Sequence, residues 1–223
     1  MILAFDTSGS VGSVAIATEG HVLARAEMSE QAGHASDLLP TITAVLAEAE
    51  VRRENLTDLV VGEGPGSFTG VRVAAATAKG LSRGLSVPLW AVSSLAAAAM
   101  TAEAGTVRYA LFDARGERVY GACYSADGNR VQTLISPHGG QLGDVLSGDV
   151  PHGAVFVGEA SRRHREIIED RGFSVADPDP EASMADGLLR YWRAQPTGFR
   201  PVTDIGSWEP KYIRPSSAER LWG

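Results

Sequence analysis

The chain has 223 residues, which at roughly 150 residues per domain allows one large or two small domains. Apolar residues make up 44% and charged residues 21%, a globular balance that excludes a disordered or fibrous chain. The net charge of −7 comes with no basic stripe beyond Arg162-Arg163-His164-Arg165, which argues against a surface that grips nucleic acid alone.

In chain order, Ile2–Phe5 is a short apolar run ended by Asp6-Thr7-Ser8-Gly9-Ser10, and Val11–Ala17 follows with alternating character. Two such runs around a polar, Gly-bearing turn predict a β-hairpin, and Val22–Glu27 adds a third strand. Across Ser36–Glu50 the period changes. Leu38, Leu39, Ile42, Val45, Leu46 and Ala49 recur at helical spacing, with Ser36 or Asp37 as cap and Pro40 placed in the first turn. Leu59–Gly62 is a buried strand, Val71–Arg83 a second helix, Pro88–Val92 a strand, and Ser93 or Ser94 caps an Ala-rich helix reaching about Ala102.

The second half restarts with strands at Val107–Phe112, Val119–Tyr124, Val131–Ile135 and Val155–Val157. Helices follow at Ser161–Arg171 and Met184–Ala194, and an extended tail runs from Pro196 to Gly223. Two half-similar α/β lobes are expected, 1–104 and 105–223. No apolar stretch approaches the ~18 residues of a membrane span. Met1–Asp6 has no basic region of a signal peptide, and the lone Cys123 fits a reducing compartment, so a cytoplasmic protein is expected.

Two segments carry chemical interest. The turn Asp6–Ser10 either cradles an anion, with Asp6 positioning a hydrated metal, or is an Asx/Ser-rich hairpin turn. Gly64-Pro65-Gly66-Ser67-Phe68-Thr69-Gly70, between a strand and a helix, has the glycines and the helix N-terminus of a phosphate loop. It fails every named version: Gly70 is followed by Val71-Arg72 rather than Lys-Ser/Thr, the dinucleotide pattern breaks at Ser67 or Thr69, and Pro65 breaks the nucleophile elbow. The helix it launches has one apolar face for the sheet and a second, small face of Val73, Ala76, Thr77, Gly80 and Gly84. That second face either packs on the Ser36–Glu50 helix alone or receives a partner. The five histidines show no HxxxH or HExxH spacing, and no catalytic triad can be assembled.

The string Gly64–Arg72 resembles the signature of the TsaB (YeaZ) family. The likeness extends through Ile2–Ser8, His34-Ala35-Ser36 with Leu38-Leu39-Pro40, Val92–Leu95, Asp113-Ala114-Arg115 with Glu117 and Tyr120, and Pro210–Arg214. The resemblance implies an α/β fold of ASKHA type (actin-like, Hsp70 and sugar-kinase architecture), with two RNase H-like lobes and mixed sheets. It also implies a scaffold subunit that pairs with the catalytic homologue TsaD and further with TsaE, and that forms a homodimer when alone. TsaD transfers threonylcarbamoyl to N6 of the adenosine 3′ of certain tRNA anticodons, and tRNA would be met only through the complex. ATP or ADP and the metal are expected in the partner subunits, with no cofactor required by this chain.

The metal-binding His-x-x-x-His pair of TsaD aligns with Ser94 and Ala98, which lack imidazole ligands, so no catalytic residue and no metal site are expected here. The partner interface is expected at Leu39, Ile42, Leu46, Val73, Ala76, Thr77, Gly80 and Gly84. A remnant nucleotide pocket is expected at Asp6, Thr7, Ser8, Gly64 and Gly66. The rival function is a nucleotide-dependent phosphotransferase or ATPase in its own right.

Overall fold

A computed structural model describes residues 1–28, 34–102, 105–127 and 130–213, apart from the side chains of 34 and 35. Two five-stranded mixed sheets repeat one plan. In the first, β1 (Ile2–Asp6), β2 (Ser13–Ala17) and β3 (Val22–Glu27) form an antiparallel meander. The parallel strands β4 (Asp58–Gly62) and β5 (Leu89–Val92) extend it beyond β1. In the second, β6 (Val107–Asp113), β7 (Arg118–Asp127) and β8 (Arg130–Gln141) form the meander, with β9 (Val155–Val157) and β10 (Ser174–Val175) parallel beyond β6.

The helices repeat with the strands. α1 (His34–Glu48) and α4 (Leu142–Ser147) follow the meanders. Between the parallel strands lie α2 (Phe68–Leu85) in the first half and α5 (Glu159–Arg163) with α6 (Arg165–Glu169) in the second. α3 (Ser94–Thr101) and α7 (Met184–Ala194) follow the last strand of each sheet.

Side-chain alternation explains why β1 reads as an unbroken apolar run: it is buried on both faces. Leu3 and Phe5 point with Leu59 and Val61 into a core under α1 and α2, while Ile2, Ala4 and Val60 point into a core containing α3 and α7. That inner core also takes Ala110, Phe112, Ala122 and Tyr124 of the second sheet, whose other face is covered by α4, α5 and α6. The two central helices are exchanged: α3 packs on β6 and β7, and α7 packs on β1, β2, β4 and β5. Each half therefore completes the other's core.

Several elements differ from the sequence expectation. α1 begins at His34, so Pro40 lies inside the helix rather than in its first turn. α2 begins at Phe68, three residues early, because the Ser67 hydroxyl accepts from Gly70 N at 3.3 Å and caps it there. The helix expected over 161–171 is two short ones broken at His164, whose φ of −109° and ψ of 25° leave the helical region. α4 and β10 were not expected, and β8 runs six residues past Ile135. The tail forms no helix or strand over its described part, 196–213, and lies against the first sheet through Val202, Ile205 and Trp208. Among the described residues no helix is long and apolar enough to cross a membrane.

Candidate docking face and the junction beneath it

α2 buries Val71, Ala74, Ala75, Ala78 and Ser82 toward the first sheet. The arc opposite is the small face expected from the sequence: Ala76, Gly80 and Gly84 are exposed, and Val73 and Thr77 are half-buried. A Cβ added at Gly80 or Gly84 would meet no atom within 4 Å, so none of the described residues fills the room these glycines leave. α1 lies alongside and adds Leu39, 54% exposed, and the half-buried Leu46. Ile42 does not belong to this surface. It shares the stripe of Leu38 and Val45 that faces the sheet and is 4% exposed, so its place is in the core.

One flank of α2 is occupied. The Lys79 ammonium donates to Gly206 O at 3.2 Å, and the Arg72 guanidinium sits 3.8 Å from the centre of the Phe68 ring while Arg72 Nε donates to the Tyr212 hydroxyl at 3.1 Å. Lys211 pairs with the buried Glu63 at 2.8 Å, and its backbone N–H donates to Glu63 O. The tail thus straps the start of α2. Phe68, Arg72 and Glu63 were missed as its partners, although the ordered Pro210–Arg214 string marked that stretch of the tail; Arg214 lies outside the described residues.

The five residues expected as a nucleotide pocket do come together, but as a packed junction. Asp6 is 1% exposed; its Oδ1 accepts from Ser8 N at 2.7 Å and Ser8 Oγ at 2.6 Å, and its Oδ2 accepts from Ser94 Oγ at 2.6 Å. Thr7 Oγ1 donates to Gly70 O at 2.6 Å, and Ser67 N donates to Ser8 O at 2.7 Å. Gly64, at φ +90°, donates its N–H to Ser94 Oγ and accepts from Ser94 N, while a Cβ on Gly66 would collide with the Ser8 carbonyl. The carboxylate and the loop backbones of this junction are hydrogen-bonded to one another. Ser93 occupies the N-cap of α3 without a side-chain cap bond, and the Ser94 hydroxyl turns inward to Asp6.

A cavity of about 270 Å³ opens elsewhere, where the two halves face each other. Gly9, Ser10, Ala98, Phe112, Gly158 and Glu159 line it, and none of the five expected pocket residues does. Burial holds the Glu159 carboxyl above the usual carboxylate range, against a hydrogen bond from the Asp113 backbone that favours the charged form. Among the described residues no group of three or more His, Cys, Asp or Glu side chains is arranged to hold a metal ion.

Residues 22–174 match the family model of TsaD, described as tRNA N6-adenosine threonylcarbamoyltransferase. The tRNA threonylcarbamoyladenosine biosynthesis protein TsaB of Escherichia coli is 35% identical over 96% of this chain and 94% of its own length. A crystal structure of a Pseudomonas aeruginosa protein, described by its similarity to peptidase YeaZ, superposes with a TM-score of 0.78 at 27% identity, covering 96% of this chain and 99% of that one. Component A of (R)-2-hydroxyglutaryl-CoA dehydratase from Acidaminococcus fermentans shares the fold at 14% identity and a TM-score of 0.52, covering 86% of this chain and 98% of that one. The two repeated mixed sheets with their exchanged helices are thus an ASKHA-type α/β fold, and the chain belongs to the TsaB (YeaZ) family.

Proposed function

We propose that this chain is a non-catalytic subunit in tRNA threonylcarbamoyladenosine biosynthesis, and that its α1–α2 face, in the lobe 1–104, docks TsaD. The observation that carries the reading is the open small face of α2. Gly80 and Gly84 lie in a regular helix, where each costs about 1 kcal/mol relative to Ala, and none of the described residues uses the space they leave. A second helix can approach a surface without side chains closely, and Leu39 beside it supplies an apolar anchor. In the absence of TsaD, two copies of this chain would bury the same face in a homodimer.

Catalysis is assigned to the partner. Ser94 stands where the resemblance places a metal-binding His, and its hydroxyl is engaged with Asp6 and Gly64. Ala98, at the second position, carries only a methyl group. In this reading ATP, metal and TsaE act at the partner, and tRNA is reached through the complex.

The test is depletion of this protein in its own cell, with threonylcarbamoyladenosine quantified in digested tRNA by mass spectrometry. The modification should fall and recover on re-expression; an unchanged level overturns the proposal. The cavity between the halves is the observation on which an independent enzyme would rest. Sustained ATP hydrolysis by the purified chain, above that of a mock preparation, would favour that rival.

A further inference from the structure

The junction beneath α2 is wired in a way that sheet packing alone does not require. Asp6 ends β1, the middle strand of the first sheet. Its Oδ1 holds Ser8, and the Ser8 carbonyl in turn accepts from the backbone N–H of Ser67, the N-cap residue of α2. Thr7 reaches one turn further and donates to Gly70 O. The Asp6 Oδ2 holds Ser94 at the start of α3, and Ser94 closes a two-way pair with Gly64, its hydroxyl accepting from Gly64 N at 3.1 Å and its N–H donating to Gly64 O at 2.8 Å.

Both ends of the 64–67 loop are therefore pinned, and both pins converge on one carboxylate. The contact is backbone-close: a Cβ at Gly62 would collide with that carboxylate. Asp6, Thr7, Ser8 and Ser94 are all buried, so each bond sits where an unmade partner is costly and where linked bonds reinforce one another. What leaves this junction is the first turn of α2.

We infer that Asp6, Thr7, Ser8 and Ser94 are positioning residues for partner docking: they fix the rotation and height of α2, and so the aim of Val73, Ala76, Gly80 and Gly84. The inference rests on the docking reading above. Helices that meet through small residues pack at axial separations near ~8 Å and interlock at close-packed density, so a small rotation of one spoils the fit.

The test uses the full chain and purified TsaD from the same cell, with Kd measured well below the melting temperature of each variant. Thr7→Val is nearly isosteric and removes the bond to Gly70; Kd should weaken about fivefold. Ser94→Ala and Asp6→Asn should each weaken it about tenfold or more, and the double variant should be no weaker than the worse single one, because both break one network. In hydrogen exchange the Val71 amide, which donates to Ser67 O, should lose protection while the β4 amides keep theirs.

A junction that only stabilises the fold would lower the melting temperature and leave the Kd of folded molecules unchanged. Unchanged Kd in Thr7→Val and Ser94→Ala overturns the inference, whatever Asp6→Asn does to folding. If the unsubstituted chain does not bind TsaD, the docking reading falls and this inference falls with it.

Discussion

Helices α2 and α7 both carry glycine inside regular helix, and the two use it in opposite ways. At Gly187 of α7, a Cβ would collide with the carbonyl of Ala97, and Thr101 Cγ2 would lie 3.1 Å away. The residue is what lets α7 cross α3 backbone to backbone between the two sheets. At Gly80 and Gly84 of α2 the same missing side chain meets open space. The helical cost is similar in all three places, about 1 kcal/mol each. On α7 the packing of the chain on itself offsets it. On α2 none of the described residues does, which points the explanation outward.

The comparison can be broken most directly at its inner end. Gly187→Ala should cost about 2–3 kcal/mol, read as a lowered denaturation midpoint, because a methyl group must displace main chain in a closed core. A neutral effect would mean that α3 and α7 are not locked. At the outer end, Gly80→Arg or Ala76→Arg should weaken TsaD binding by about 100-fold or more in a pull-down or titration, with circular dichroism and melting near those of the unsubstituted chain. Normal co-purification of both variants would remove the docking face.

The next test reverses the sign. Gly80→Ala with Gly84→Ala should stabilise the isolated chain, by about 0.5–1 kcal/mol per site, through helix propensity alone. A loss of stability there would show that the glycines have an internal role after all. The smallest expected effect lies beside the inner core, at Glu159. Its carboxyl is raised in the folded chain, so the folded state binds a proton more tightly than the unfolded state does. Stability is then fully present below the ordinary carboxylate range and falls as pH rises toward the raised value. Glu159→Gln should flatten that slope in melting curves collected from pH 4 to 7; an unchanged slope would place the pH dependence elsewhere.

Much of this was legible in the sequence where periodicity is strong. The first meander, β4, β5 and the second-half strands β6, β7 and β9 follow from alternation or apolar runs, and the small arc of α2 from spacing. The failures have physical causes. α4 offers six residues after Gly139 and Gly140, too few turns for a helical period to emerge. β10 pairs over two residues only.

Ile42 and Leu39 both belong to the apolar pattern of α1, yet Ile42 lies with Leu38 and Val45 in the middle of the core stripe, while Leu39 stands about 60° further round, at the edge of the stripe, where it meets solvent. The Asp6 turn has the composition of an anion cradle. Its actual state depends on Ser94, 88 residues away, whose hydroxyl closes it. Local composition records what a loop could hold, whereas distant packing decides whether it is left open.

The tail has a consequence for solubility as well as for α2. Val202 N donates to Leu89 O at 2.7 Å, on the edge of β5 that β4 does not use, and Phe199 packs on Trp90 at 5.1 Å between ring centres. An uncovered parallel edge next to an apolar helix face would invite strand-to-strand stacking of one copy on another. With Val202 bonded to that edge, part of the β5 ladder is already taken and is not offered to the strand of a second copy.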